Sequence, residues 1–569
     1  MELKYYLNNV PVEIILNIMK YMNFEIVVSY DNTLAKKKYN SSYHTWNWAA
    51  QNGHLNVMRW LKINGETSCN VNTLNWAAKY NHFACVRWLY FIDKNQITSR
   101  TIERAAVNGN IYLVKWLLNN SNSKGGKPAM LQAARNGYLD IVKLLYFKNT
   151  KLRNIGAMDC AAENGYLDIV KWLHEKNERC TTNAMDYAAE NGYLEIVIWL
   201  HENRTEGCTI NAMDNAIQNG YYEIVKYLCK KVKAPCKRYS IDIAAAKNYS
   251  DIVKYLDKYV KDDYPNKYRR FYIGKDKFAL CTEDAMDWAA KNGNLDIVKY
   301  LHKNRTEGCT RRAIDLAAEG GYFEIVKFLH ENRTEGCTKN AMDNAAKCGY
   351  LDIVKFLHEN RTEGCTTYAM DWAAEEGYFD IVKFLHENRK EGCTKNAMDN
   401  AAYNGYFNIV KFLHENRTEG CTTRAMDRAA HKGYFDIVKF LHENRKEGCT
   451  VNAIDDAAYY GYFKIVKFLC ESGQKYTTRT INYAARNGYL KIVKFLHEHD
   501  STICTVEAIK NATERGHFEI VKYLCEDNNE ISHYLREVIE IARYGIYGKT
   551  NDRHTKIIDY LKKRYNYNN

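Results

Sequence analysis

A unit of about 28 residues recurs along this 569-residue chain. A glycine, or twice an asparagine, marks each copy, and nearly every step between markers is 27, 28 or 29 residues. A unit of this length cannot bury its apolar face alone, so successive copies must stack, which predicts a solenoid. The markers are Gly53, Asn81, Gly109, Gly137, Gly165, Gly192, Gly220, Asn248, Gly293, Gly321, Gly349, Gly377, Gly405, Gly433, Gly461, Gly488, Gly516 and Gly545.

One copy, residues 337–364, reads CTKNAMDNAAKCGYLDIVKFLHENRTEG and predicts two helices. In the first, Met342, Ala345 and Ala346 follow the i, i+3, i+4 spacing of one helix face. Gly349 suits the left-handed position that ends a helix, and asparagine is the next best residue there. The second helix, LDIVKFLHEN, has a broad apolar side, as a helix packed against a partner and two neighbours requires. The copies therefore predict an all-α fold of about eighteen such pairs.

The joint between copies, HENRTEGCT, occurs unchanged four times and contains a His, a Cys and two carboxylates, a set that raises the question of a repeated metal or catalytic site. One His and one Cys per copy cannot complete a four-ligand zinc site, and no second Cys stands at metal-binding spacing. A catalytic Cys is usually singular, whereas this one is repeated. We therefore predict no catalytic residue, no metal and no cofactor. Thr338, the last residue of one joint, is predicted to cap the next first helix.

The cysteines and the distribution of charge indicate the compartment of the protein and the kinds of ligand it binds. Stacked helices lie about 8–10 Å apart, beyond the reach of about 7 Å that a disulfide allows, so the 18 cysteines are expected to be free thiols in a reducing compartment. The net charge of +13 is spread along the chain, which predicts no specific nucleic-acid site. No apolar run of about 18 residues occurs, so no membrane span is expected. These features predict a cytoplasmic monomer.

The pattern AMDxAAxNGYLDIVKFL resembles the paired-helix core of ankyrin repeats, from about residue 44 to 569. The copies are shorter than the usual 33 residues, and CTKNAMD stands where the family has Thr-Pro-Leu-His, with Asp343 in the His position. Whether a β-hairpin finger or a tighter turn forms at NRTEGC stays open. The copies look most like the short ankyrin-type repeats of giant DNA viruses of the mimivirus type and of some protists.

The N-terminal segment LNNVPVEIILNIMKYMNF, residues 7–24, resembles the start of an F-box. The resemblance implies recruitment of Skp1, the arm of a host cullin ubiquitin ligase. The alternative is a capping helix that seals the first repeat, which solenoids need. The residues that match the motif are Pro11, Glu13, Ile14, Ile15, Ile18 and Met19.

These features divide the chain into four segments. Residues 1–40 form the F-box-like or capping segment, and residues 41–256 the first run of ankyrin-like repeats. An insertion follows at 257–280, because the step from Asn248 to the next marker is longer than the others. Residues 281–569 form the second run, with an irregular C-terminal cap.

The positions that vary between copies are the candidates for recognition. They lie after AMD and after the Ala pair, and helix geometry turns them away from the Met/Ala face. In an ankyrin-like stack they would line the concave face, where an unidentified protein target would bind. The leading prediction is a non-enzymatic binding scaffold, with a viral adaptor as its sharper form; a structural or virion-associated protein and an enzyme are the alternatives. The selected residues are Tyr187, Trp288, Trp372, Tyr403, Arg428, His431 and Tyr459.

Overall fold

The computed structural model describes ten ranges of the chain: residues 43–63, 69–93, 97–123, 125–148, 156–236, 239–262, 281–500, 505–526, 531–544 and 552–565. The predicted insertion lies outside them from residue 263 onwards, and its beginning, 257–262, continues the helix Ser250–Asp262. Several other predicted positions also fall outside these ranges: Pro11, Glu13, Ile14, Ile15, Ile18, Met19 and Gly545.

Packing divides the chain into two compact units, Met1–Ala285 and Met286–Asn569. In the first unit the first helix of each pair is Tyr43–Gln51, Val71–Lys79, Ser99–Ala106, Lys127–Arg135, Ala157–Glu163, Asn183–Glu190, Ile210–Gln218 and Ser240–Ala246. The second helices are Leu55–Ile63, Phe83–Ile92, Ile111–Asn119, Leu139–Lys148, Leu167–Glu175, Leu194–Asn203, Tyr222–Tyr227 (continued by a π-helical turn at Leu228–Val232) and Ser250–Asp262.

The second unit has the same construction, and its first pair starts at the boundary. Its first helices are Glu283–Lys291, Arg312–Glu319, Asn340–Lys347, Thr367–Glu376, Lys395–Asn404, Thr423–Lys432, Val451–Tyr460, Thr478–Arg486, Val506–Glu514 and Ile531–Tyr544. Its second helices are Leu295–Asn304, Phe323–Asn332, Leu351–Asn360, Phe379–Asn388, Phe407–Asn416, Phe435–Asn444, Phe463–Glu471, Leu490–His499, Phe518–Glu526 and Asp552–Arg564. The described ranges thus contain the eighteen helix pairs that the repeat predicted.

The core of each pair is formed by the residues that the spacing selected. Met342, Ala345 and Ala346 are buried on the first helix, and Ile353, Val354 and Leu357 are buried on the second. Because the Ala pair adds little bulk, successive first helices within a unit pack against each other more extensively than successive second helices do. No β-strand occurs in the described ranges, and the joints are bends, so a tight turn replaces the hairpin finger there.

In nine of the described first helices an aspartate holds the start of the next repeat. Asp371 is buried, and its two carboxylate oxygens accept hydrogen bonds from the Thr394 backbone N–H at 2.7 Å and from the Thr394 hydroxyl at 2.6 Å. The same hydroxyl accepts from the Asn396 N–H at 3.1 Å, so it also caps its own helix, as predicted for this position. The equivalent pairs are Asp159–Thr181, Asp186–Thr209, Asp242–Thr282, Asp287–Thr310, Asp315–Thr338, Asp343–Thr366, Asp399–Thr422 and Asp427–Thr450.

Burial disfavours the charged form of these aspartate side chains. Burial raises the pKa of the Asp371 carboxyl, while the two hydrogen bonds from Thr394 lower it. The carboxylate is therefore stabilised chiefly by the next repeat. We call each of these interactions an aspartate–threonine clamp.

The joints are connected by a second contact, built from an arginine, a glutamate and a glycine. Arg445 Nη2 lies 2.5 Å from Glu447 Oε1, and this hydrogen bond lowers the pKa of Glu447 to about 2. Glu447 Oε1 also accepts from the Cys421 N–H of the preceding joint at 3.4 Å. The Arg445 guanidinium lies so close to Gly420 that an added Cβ would collide with it. The equivalent ion pairs are Arg305–Glu307, Arg333–Glu335, Arg361–Glu363, Arg389–Glu391 and Arg417–Glu419.

The marker residues adopt the left-handed backbone that the sequence predicted. Gly349 has φ 84°, and the two asparagine substitutes, Asn81 and Asn248, have φ 63° and 64°. A second constraint was not foreseen. A Cβ at Gly349 would lie 2.6 Å from the ring of Tyr378, the tyrosine that follows the next marker. Gly349 therefore both ends a helix and leaves room for the ring of the next repeat, and the other marker glycines from Gly53 to Gly488 in the described ranges do the same.

We expect Asp371→Ala to destabilise the contact between its repeat and the next by about 2–4 kcal/mol, because two donors of Thr394 lose a buried acceptor. Hydrogen exchange at residues 394–397 measures this loss locally. Asp380→Ala, an exposed carboxylate on the second helix of the same repeat, is the matched control and should change stability by less than about 0.5 kcal/mol. Equal effects of the two substitutions would exclude a special role for the clamp.

Gly420→Ala should be more destabilising than Gly448→Ala, although the two glycines occupy the same place in their joints. Their φ values are 75° and 67°, so both substitutions carry the backbone cost of about 1–2 kcal/mol. Only Gly420 has an arginine against it, whereas a Cβ at Gly448 meets no atom within 4 Å. Urea denaturation measures both. On an Arg445→Ala background the difference between the two glycines should disappear, and its persistence would contradict the contact.

Candidate functional site

Within the second unit, the variable positions of consecutive first helices form a surface row, which we call the variable row. In the second unit it includes the predicted Trp372, Tyr403, Arg428, His431 and Tyr459. These side chains are partly exposed on consecutive first helices from Thr367–Glu376 to Val451–Tyr460. Because the buried Met and Ala residues occupy the opposite side of each helix, the row is positioned by the same packing that builds the core.

Trp372 is the centre of an aromatic and cationic group. Its ring stacks on Tyr368, with ring centroids 5.0 Å apart and planes 13° apart. Lys347, from the preceding first helix, places its Nζ 5.2 Å from the Trp372 ring centroid. Tyr368 is 54% exposed, which is high for a large aromatic residue. The pair therefore presents a flat apolar surface with a positive charge at its edge.

The next part of the row is a chain of polar contacts across three first helices. Glu375 Oε2 accepts from Asn400 Nδ2 at 3.1 Å, and Asn400 Oδ1 accepts from Arg428 Nη1 at 3.1 Å. The Arg428 guanidinium also lies 5.4 Å from the Tyr403 ring, and Lys432 Nζ lies 4.9 Å from it. These contacts hold Arg428 and Tyr403 in place before any partner arrives, which reduces the entropy cost of binding.

The far end of the row is rich in tyrosine. His431 Nδ1 lies 3.1 Å from Asp456 Oδ2, and its ring packs 4.8 Å from that of Tyr460. Tyr459 contacts Tyr460 at 4.9 Å and Tyr483 of the next repeat at 5.5 Å. Tyr459 and Tyr460 are 41% and 43% exposed. Tyrosine and arginine are enriched among residues that dominate protein–protein binding energy.

Two predicted residues stand apart from this group. Trp288 contacts Lys291 of its own helix, with the Nζ 4.8 Å from the ring, and lies three repeat steps before Trp372. Tyr187 is exposed on the helix Asn183–Glu190 of the first unit. Five of the seven predicted residues therefore lie on consecutive first helices, in three local contact groups around Trp372, Arg428 and His431, and the other two occupy equivalent positions elsewhere.

The sequence reasoning did not select three aromatic members of the row, Tyr368, Tyr460 and Tyr483. A signal for Tyr368 was available, because it precedes Trp372 by four residues and so shares its helix face. Tyr460 occupies the position just before the marker glycine, where most copies carry a polar residue. Its proximity to His431 depends on how adjacent repeats stack.

The His and Cys side chains of the joints pack against neighbouring residues. The His330 ring lies edge-on to Phe356 of the next repeat at 5.4 Å. Burial raises the pKa of the Cys337 and Cys365 thiols to about 12, so both are protonated and poor nucleophiles at neutral pH. Cys337 and Cys365 form no disulfide. The described ranges contain no group of three or more His, Cys, Asp or Glu side chains placed to hold a metal ion. None of their helices is long and apolar enough to cross a membrane.

Comparison with known proteins agrees with this architecture. A family model described as "Ankyrin repeats (3 copies)" matches the chain in overlapping segments from 130–214 to 457–534, and "Ankyrin repeats (many copies)" matches residues 102–145. No curated protein matches the sequence. Among solved structures, the pentatricopeptide repeat protein PPR10 from maize aligns over 98% of this chain and 96% of its own, at 8% identity and a TM-score of 0.27. The family matches cover more than half of the residues, and the chain belongs to the ankyrin repeat family.

Proposed function

We propose that the protein is a binding scaffold whose variable row, from Lys347 to Tyr483, contacts a protein target. The observation that supports this most directly is the group around Trp372, where exposed aromatic rings and cations are already fixed by contacts within the row. Ankyrin repeats serve protein–protein interaction, which favours a protein as the ligand. The constant joints would maintain the spacing while the row provides specificity.

We further propose that the scaffold is a viral substrate adaptor in the cytoplasm of a host cell. The F-box-like residues around Pro11, Ile14 and Ile18 would recruit Skp1, and the repeats would hold the protein to be ubiquitinated. Support comes from the sequence of residues 7–24 and from the likeness of the short repeats to those of giant DNA viruses. The alternative is a structural or virion-associated repeat protein without a ubiquitin link.

The row can be tested by photo-crosslinking in cells. A photoreactive amino acid at position 368 would face the row, and one at Phe379, which is exposed on the second helix of the same repeat, is the matched control. We expect specific protein adducts from position 368 that are absent at 379 and fall about tenfold or more with Trp372→Ala, since anchoring aromatic residues contribute about 2 kcal/mol or more. The same adducts from both positions would count against the row.

The adaptor proposal predicts a direct complex with Skp1. Purified full-length protein should retain Skp1 in a pulldown, and the triple substitution of Pro11, Ile14 and Ile18 by alanine should abolish retention, because an apolar helix face would be lost. Trp372→Ala is the control and should leave Skp1 retention unchanged. If the intact chain does not bind Skp1, the proposed role as a ubiquitin-ligase adaptor is wrong, whereas the scaffold proposal is unaffected.

A further inference from the structure

A groove in the first unit has a composition unlike that of the variable row. It lies across the helices Tyr43–Gln51, Val71–Lys79 and Ser99–Ala106, and encloses about 450 Å³. Five of its nine lining residues occupy the variable positions of three successive first helices: Trp48, Gln51, Trp76, Lys79 and Arg104. The side chains that matter below are Trp48, Asn72, Trp76, Lys79, Arg100 and Arg104.

The groove is positive. Among the nine described residues that line it, Lys79, Arg100 and Arg104 are cationic and none is a carboxylate. Glu103 precedes Arg104 in the chain but does not line the groove. A concave surface lined by one sign of charge attracts ligands of the opposite sign.

The absence of negative charge in the lining has a structural origin. In this part of the chain the clamp position holds asparagine: Asn47 Oδ1 accepts from the Thr73 hydroxyl at 3.0 Å, and Asn75 Oδ1 accepts from the Thr101 hydroxyl at 2.8 Å. Each amide oxygen therefore accepts one hydrogen bond from a threonine three residues after the cap of the next helix, whereas the later carboxylates accept two from the capping threonine. The substitution preserves the connection between repeats and removes two negative charges from the floor of the groove.

The groove also has aromatic walls. Trp48 and Trp76 occupy equivalent positions in adjacent repeats, and both are half-buried. Lys79 Nζ lies 5.1 Å from the Trp76 ring centroid and 5.2 Å from that of Tyr80, which holds the ammonium beside the groove. Asn72 is exposed at the edge, where its amide can hydrogen-bond to a peptide backbone. Apolar walls, three cations and an amide together fit a peptide that has both acidic and apolar side chains.

We propose that this groove binds a short acidic segment of a partner protein. Its carboxylates would pair with Lys79, Arg100 and Arg104, and an apolar side chain would lie between the two tryptophan rings. The inference rests on the scaffold function proposed above but names a different surface and a different ligand chemistry. It can therefore fail while the variable row of the second unit still binds its target.

The length of the positive stretch favours a peptide over a nucleic acid. One repeat beyond Arg104, the surface cation Arg135 is paired with a carboxylate. Its Nη2 lies 3.6 Å from Glu163 Oε2. Three first helices at about 8–10 Å spacing span about 20 Å. An extended peptide of about six residues covers that distance and places two or three carboxylates along it. Single-stranded nucleic acid binds along longer positively charged grooves, in which aromatic side chains stack on its successive bases.

The test is a direct binding measurement with the purified full-length chain. The probe is a pool of fluorescein-labelled heptapeptides with Asp or Glu at alternate positions and random apolar residues between them, and the control pool has Asn or Gln instead. We expect saturable anisotropy for the acidic pool, at least about tenfold weaker binding for the neutral pool, and weaker binding at 0.5 M than at 0.05 M salt.

The variants locate the site. Arg104→Glu and Lys79→Glu should each weaken binding of the acidic pool about tenfold or more, because a charge-assisted contact becomes a repulsion. Arg135→Glu, one repeat further and outside the groove, is the matched control and should have little effect. Circular dichroism melting of each variant separates lost binding from lost folding. Binding that is absent, or that survives both groove substitutions in folded protein, overturns the proposal.

Two further measurements exclude other occupants. A labelled twelve-residue oligothymidylate that binds more tightly than the acidic pool, and loses binding with the same variants, would make the site one for nucleic acid and overturn the peptide assignment. A photoreactive residue at Asn72 reports on the chain itself. Crosslinks from position 72 to residues 1–42 that acidic peptides do not reduce would make the occupant an intramolecular segment and likewise overturn the proposal.

Discussion

The aspartate–threonine clamp is the interaction on which the stack depends. Two donors of one threonine, its backbone N–H and its hydroxyl, point at one buried carboxylate of the preceding repeat, as at Thr394 and Asp371. Removal of either partner leaves the other buried and unsatisfied, which costs more than the net value of the hydrogen bonds. Because the same hydroxyl caps its own helix, the clamp ties the register between repeats to the start of each new helix.

The constant and variable parts of the repeat have different physical tasks. Joint residues such as Arg445, Glu447 and Gly420 contact the adjacent joints, so a change in one copy must be accommodated by its neighbour. The residues of the variable row contact each other at the surface, where different side chains can be accepted. Near the start of the first unit Asn47 and Asn75 stand in the aspartate position, and each accepts a single hydrogen bond from a threonine within the next first helix. Charge at the surface can therefore be altered without loss of the stack.

Much of the fold could be predicted because it follows from short-range geometry. The i, i+3, i+4 spacing of Met342, Ala345 and Ala346 identified the buried face, and the exchange of Gly for Asn identified a left-handed residue. The partners of Asp343 could not be predicted in the same way. From the sequence it was a substitution for histidine in a family motif, and the bonds to Thr366 join residues 23 positions apart. The fit of Tyr378 against Gly349 depends on repeat stacking in the same manner.

In the candidate site, too, some features follow from short-range helix geometry and others from the stacking of repeats. Helix periodicity selected Trp372, Tyr403, Arg428, His431 and Tyr459, because exposure on a helix is a local property. The contacts of His431 with Tyr460 and of Tyr459 with Tyr483, and the groove of the first unit, depend on how far one first helix is offset from the next. By itself the sequence determined a repeated helix pair, its buried face and its turn residues. Tertiary structure decided which charges are buried and which side chains meet across repeats, because those distances arise only when the pairs stack.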